Sequence, residues 1–144
     1  MSKMIFINLP VTDLARSMRF YESVGFTNNP AFTNEQAAAM AWSDSIIVML
    51  LVHDFWKTFT DKEIVDAKRS AQVLLCLSQD SQDEVNAIVD KAVAAGGRAD
   101  PTPKQDLGFM YDRSFEDPDG HIWENVWMDP AVASGEQPPE HQAA

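Results

Sequence analysis

The stretch F-E-D-P-D-G-H-I-W-E, residues 115–124, decides the fold. Asp117-Pro118-Asp119-Gly120 is strong turn chemistry, because proline presets one backbone dihedral and glycine supplies a positive one. Before the turn, Tyr111, Arg113 and Phe115 fall on one face of a strand and Met110 on the other. After it, His121, Trp123, Asn125 and Trp127 alternate with Ile122, Glu124, Val126 and Met128. This period of two predicts a hairpin of strands 108–116 and 121–128.

The same logic extends back along the chain. Residues 98–102 read as a short strand, followed by a loop around Pro101 and Pro103. Ser81 and Glu84 form a capping box, and Val85, Ile88, Val89, Ala92 and Val93 recur at helical spacing up to Gly96-Gly97. Residues 71–78, AQVLLCLS, are apolar on both faces, as expected of a buried central strand. Thr60 and Glu63 form another capping box, with Phe59 and Ile64 placed as a hydrophobic staple, so a short helix is predicted over 61–68. Residues 37–43 and 45–52 read as a hairpin turning near Ser43-Asp44. At the start, a strand over 4–11 runs into a helix capped by Thr12 or Asp13. Leu14, Met18, Tyr21 and Val24 give that helix its apolar stripe, and Gly25 stops it. The chain is extended again from Phe26.

The order is strand, helix, three strands, a short helical insert, then strand, helix, three strands. That is one β-α-β-β-β unit used twice with almost no shared letters. The fold class is α+β: paired modules forming a cup-shaped, curved mixed sheet. One domain is expected over residues 1–130, with module one at about 3–53, a linker with the short helix at 54–70, and module two at about 71–128. Residues 131–144, rich in Ala, Pro, Gln and Glu, read as a disordered tail.

Composition narrows the function. The 144 residues are 45% apolar and 23% charged, an ordinary globular balance. Acids outnumber Lys and Arg 22 to 11, for a formal charge of −11. Such a body repels phosphate backbones and anionic lipid, so neither nucleic acid nor a membrane surface is the expected partner. The longest apolar run, Ile46–Val52, is strand-sized and too short to span a bilayer. The single Cys76 permits no internal disulfide and fits a reducing compartment. With no charged-then-apolar leader at residue 1, a cytoplasmic protein is expected.

The pattern and its signatures resemble the vicinal oxygen chelate superfamily, which holds glyoxalase I, bleomycin- and fosfomycin-resistance proteins and extradiol dioxygenases, and most closely its glyoxalase-like (lactoylglutathione lyase-related) group. The strand 5–11 running into Thr12-Asp13-Leu14, Phe20-Tyr21, Val24-Gly25-Phe26, Ala94-Ala95-Gly96-Gly97 and the segment 115–124 carry the resemblance over about residues 3–128. It implies a cup in which a divalent metal chelates two neighbouring substrate oxygens, held by His, Glu or Gln on strands. It also implies a homodimer in which sheets of two subunits complete the cup.

A functional metal site normally needs about three protein ligands and an open position. Matched position by position, the first-strand ligand falls on Phe6, with Asn8 on the same face. The ligand of the hairpin strand falls on Leu50, whose same-face neighbours Val48 and Val52 are no better. The third falls on Gln72 or Val73, and Gln72 offers an oxygen. The last is Glu124, four residues past Gly120. One good ligand, one weak one and two apolar replacements disfavour a divalent metal, and the cofactor stays open.

Glu124 sits among Ile122, Val126 and Met128, so it must be paired, protonated or lining a cavity. It is the candidate general base or residual ligand, against the plainer role of a hydrogen-bonded structural carboxylate. Arg113 is the candidate counter-charge to it or to an anionic ligand, against a helix-facing salt bridge. The substrate pocket is expected to contain Phe6, Asn8, Leu50 and Arg113. His53 reads as a strand-end residue, and His121 faces away from Glu124. Phe55, Trp56 and Phe59 suit ordinary packing, or a lid or subunit contact. Cys76 lacks a basic neighbour and is expected to be inert. No nucleophile elbow, phosphate loop or dinucleotide fingerprint is present.

Two functions follow. One is an enzyme, lyase-, isomerase- or dioxygenase-like, acting on a small molecule in the cup through Glu124. The other is a metal-free binding protein that sequesters a small molecule, as in drug resistance. A scaffold with a filled cup is a weaker third.

Overall fold

A computed structural model describes residues 3–135. The first module runs β1 (Ile5–Val11), α1 (Leu14–Ser23), β2 (Thr27–Asn29), β3 (Ala37–Ala41) and β4 (Ile46–Val52). Asp13, not Thr12, caps α1, its carboxylate accepting from the Arg16 amide at 3.1 Å. After α2 (His53–Trp56) and an irregular strap come β5 (Leu75–Ser78), α3 (Gln82–Ala94), β6 (Arg98–Ala99), β7 (Gln105–Asp106), β8 (Met110–Glu116), β9 (Ile122–Met128) and α4 (Pro130–Ala133). The α+β class and the doubled module stand as read from the sequence.

Each module builds its own mixed sheet. The first has the order β1-β4-β3-β2 and the second β5-β9-β8-β6, with β7 also on β8. β1 pairs parallel to β4 and β5 parallel to β9, while the remaining pairs are antiparallel. Each first strand and its partner are joined through a helix, as a parallel pairing requires.

The inner faces of both sheets share one core. Leu9, Val11, Met40, Val48 and Leu50 from the first sheet and Leu77, Phe115 and Trp123 from the second join Phe20 and Tyr21 of α1 and Ile88, Val89 and Ala92 of α3. Tyr21 ties the modules together. Its hydroxyl donates to Asp117 at 2.7 Å and accepts from the Trp123 indole at 3.0 Å. Burial and then the Asp117 charge raise its pKa well above the usual phenol value. The Asp117 carboxylate also accepts from the Asp119 and His121 amides, which explains why an acid begins the D-P-D-G turn. Asp119 reaches back to the Thr12 hydroxyl at 2.7 Å, docking the turn on the start of α1.

Four local expectations are corrected. The helix expected at 61–68 does not form, and the helical turn lies at His53–Trp56 instead. Thr60 accepts from the amide of Lys62, two residues on, not from Glu63, and Phe59 packs edge-on against Phe55 rather than stapling Ile64. Without an apolar stripe against the core, a segment this short cannot offset the cost of helix nucleation. The strand at 71–78 is shorter and lies at a sheet edge, leaving Val73 and Leu74 exposed. The tail begins with α4, whose Asp129 cap and Pro130 suit a helix start, where disorder was expected from 131. Residues 136–144 of that tail, with His141, lie outside the described residues. No helix among the described residues is long and apolar enough to cross a membrane.

Candidate functional site

Strand pleat decides which candidates meet. On the outer face of the second sheet, away from the helices, stand Asp112 and Ser114 of β8, Glu124 and Val126 of β9 and Cys76 of β5. Asp112 is opposite Val126, Ser114 opposite Glu124, and Cys76 in register with Glu124. Asp112 and Glu124 are therefore diagonal neighbours on adjoining strands, within reach of each other. No cation is bonded to either among the described residues.

The proximity shows in the titration of Asp112. Burial, then a hydrogen bond to Glu124 and the Glu124 charge, push its carboxyl up to about 7. Its Oδ1 is shielded and finds no donor in the protein. Two acceptors side by side are satisfied only when a proton lies between them, and the raised pKa supplies that proton near neutrality. Partial burial and then the charges of Asp112 and Glu124 push the Cys76 thiol up to about 11, so it stays protonated and unreactive, as expected.

The other candidates scatter. Leu50 does not belong to a pocket: it pairs with Leu9 and Ala38 on the inner face and is fully buried in the core. Phe6 and Asn8 occupy the outer face of β1, in register with Ile47 and Met49, so the residues sharing their face in β4 are odd-numbered. Arg113 is on the inner face of β8, opposite the side that carries Glu124. It is held by Asp100 at 2.8 and 3.1 Å and by Asn86 at 3.0 Å, so it is the counter-charge of Asp100 and not of Glu124. Asp100 in turn is held below the usual carboxylate range, chiefly by the Arg113 hydrogen bonds. Asn8 and Gln72 do come together, lining a cavity of about 300 Å³ beneath the strap. His121 turns from Glu124, as expected, and its Nε2 meets the Pro10 carbonyl at 2.8 Å. His53 follows the end of β4, where the sequence places a strand-end residue.

Asp112 is the residue the sequence missed. The signal was available: counting the register outward from the D-P-D-G turn pairs 114 with 124 and sets 112 beside it.

Among the described residues no group of three or more His, Cys, Asp or Glu could hold an ion. The first-strand position carries the phenyl ring of Phe6.

The model of the Glyoxalase/Bleomycin resistance protein/Dioxygenase superfamily matches residues 3–125. The chain belongs to that superfamily. No curated protein matches it. Among solved structures, a glyoxalase-related enzyme from Fulvimarina pelagi is 25% identical, with a TM-score of 0.69 over 88% of each chain. TnmS3, an antibiotic binding protein from Streptomyces sp. CB03234, is 20% identical, with a TM-score of 0.61 over 89% of this chain and 97% of its own. A bleomycin resistance determinant encoded on the transposon Tn5 is 16% identical, with a TM-score of 0.61 over 89% and 99%. At such identities the likeness to the last two is one of fold. The superfamily spans binding proteins and enzymes, so the site itself must decide between them.

Proposed function

We propose that this superfamily member binds a small molecule without a metal ion, on the outer face of the second sheet, through Asp112 and Glu124. The observation that supports this reading is the pair of carboxylates without a bonded cation, flanked by Ile122, Val126 and Met128. Such a face suits a molecule with an apolar body and amine or amide donors. The chain's charge of −11 further draws cations toward it. The antibiotic-binding and bleomycin-resistance relatives give the reading its precedent.

A homodimer completes the site. Phe6 and Asn8 lie on the outer face of the first sheet and Glu124 on that of the second. Asn8 shares a cavity with Ile122, which stands on the same face of β9 as Glu124, and a second copy closing over these faces would enclose the ligand. The exposed apolar side chains of Ile5, Phe6, Val73 and Leu74, at or beside the edge strands β1 and β5, suit such an association.

A thermal-shift screen in excess chelator, with amine-bearing drug-sized molecules including metal-free bleomycin, tests the reading. The expected result is at least one stabilising compound whose effect is lost in Asp112→Asn and Glu124→Gln. Stabilisation that needs added metal, or that survives both substitutions, overturns it. Sedimentation velocity reads the dimer, and a monomer at micromolar concentration rules out the shared site.

A second reading has its own support. A carboxyl titrating near 7 suits general acid–base work at neutral pH. Asp112 then holds the proton, and Glu124, first read as the base, tunes it. Turnover abolished by Asp112→Asn with ligand affinity retained would establish that reading.

A further inference from the structure

The strap, residues 60–73, joins the modules without being held by the core. Asp61, Lys62, Glu63, Asp66, Lys68 and Arg69 are charged and exposed, and only Thr60, Ile64 and Ala67 are half-buried. Every hydrogen bond the strap makes among the described residues stays within it. The Lys62 amide donates to the Thr60 hydroxyl at 3.2 Å and the Lys68 amide to the Asp66 carboxylate at 3.1 Å. The Arg69 and Ser70 amides donate to the Asp66 carbonyl. None of its charged groups forms an ion pair among the described residues. Its close seat on the body is at Gly120, where a Cβ would lie 2.6 Å from the Lys68 amide nitrogen.

Both ends of the strap are fixed. Before it, Phe59 packs edge-on against Phe55 with ring centroids 5.1 Å apart, and after it Leu75 pairs with Trp123. A segment tied at its ends, with little buried hydrocarbon and no hydrogen bond to its surroundings, opens without unfolding the rest. The strap also forms one wall of the cavity of about 300 Å³ whose other wall carries Asn8 and Ile122. Ile122 shares its face with Glu124. That volume lies at the small end of the ~300–1,000 Å³ range of ligand pockets, so a drug-sized molecule on this face needs the strap to give way.

We infer that the strap is a hinged lid for the carboxylate face: it swings on its two fixed ends to admit a ligand and closes onto it, with Ile64 and Ala67 as the latch. Opening breaks no hydrogen bond to the body and exposes only these half-buried side chains. The inference rests on the reading of the carboxylate face as the ligand site, and adds to it the element that controls entry.

Trypsin under native conditions tests the lid on the full chain, with cuts after Lys62, Lys68 and Arg69 timed by mass spectrometry. These cuts should precede all others, because the protease takes the locally opened form. Ile64→Ala removes part of the latch and should speed them about 3- to 10-fold. Leu50→Ala weakens the shared core and not the strap, and should leave them within about 2-fold. Metal-free bleomycin, at a concentration that raises the melting temperature, should slow them about 5-fold or more by drawing population from the open form. Cuts that Ile64→Ala leaves unchanged, or that Leu50→Ala speeds as much as cuts elsewhere, overturn the lid. Bleomycin that binds without slowing them overturns it too. If bleomycin does not bind while Ile64→Ala still speeds the cuts, the hinge is upheld and the ligand reading of the carboxylate face is what fails.

Discussion

Asp112 and Glu124 stand diagonally across β8 and β9 on the sheet face that the helices leave open. With the Asp112 carboxyl pushed up to about 7, a proton is available near neutrality to a pair of carboxylates that no cation neutralises among the described residues. The arrangement needs only the turn at Asp117–Gly120 to fix the register, because each two-residue step outward returns to the same face.

The pair makes stability depend on pH. Folding raises the Asp112 pKa from 3.8 to about 7. Between those values the folded chain keeps a proton that the unfolded chain has released. This contribution is therefore complete at acid pH and is lost as pH rises through about 7. From about pH 5 to about pH 8, the urea midpoint of the unaltered chain should fall further than that of Asp112→Asn. Equal falls in the two proteins would refute the shared proton.

Tyr21 joins the modules through two buried hydrogen bonds. Tyr21→Phe keeps the ring but strands the Trp123 indole and removes a donor from the buried Asp117. The expected loss is about 2–4 kcal/mol, read by chemical denaturation. A loss below about 0.5 kcal/mol would mean that the network does not hold the modules together.

Gly120 is irreplaceable for two reasons. Its φ is +101°, and an added Cβ would lie 2.6 Å from the Lys68 amide nitrogen and 2.8 Å from the Ala67 carbonyl oxygen. Gly108, with φ +82°, has open space around it. Gly108→Ala should cost about 1 kcal/mol through backbone strain alone. Gly120→Ala should cost about 2–4 kcal/mol and push the strap away, which limited proteolysis near residues 61–70 would detect.

Leu50 and Phe6 separate core from outer face. Leu50→Ala opens a cavity in the shared core and should cost about 2–5 kcal/mol. Phe6→Ala removes an exposed ring and should cost less than about 0.5 kcal/mol in the isolated chain. In any ligand assay the order reverses: Phe6→Ala should alter affinity or dimerisation, and Leu50→Ala, where folded, should alter neither.

Much of the fold was legible because local signals and tertiary packing agreed. Asp13, Gly25, Ser81 and Gly96 marked the ends of α1 and α3, and the D-P-D-G turn marked the hairpin. The strap was misread because Thr60 and Glu63 carry a capping signature without a stripe for the core to hold, and packing decides short helices. β5 was misread because runs apolar on both faces look alike in a central strand and in an edge strand beside exposed hydrocarbon. The face that Glu124 takes and the orientation of His121 followed from the hairpin period. Leu50 failed because a strand placed one residue out of register shows its other face. Arg113 failed because alternation tells which residues share a face but not which face meets the helices, and Asp112 was missed by not carrying the register across the turn.

The central claim is that the carboxylate pair meets its ligand directly, not through a metal ion. Elemental analysis of the protein purified without a chelating column, then loaded with zinc, nickel or manganese and desalted, tests it most directly. The prediction is far less than one ion per chain, the same in Glu124→Gln as in the unaltered protein. About one tightly held ion per chain, lost in Glu124→Gln, would contradict it.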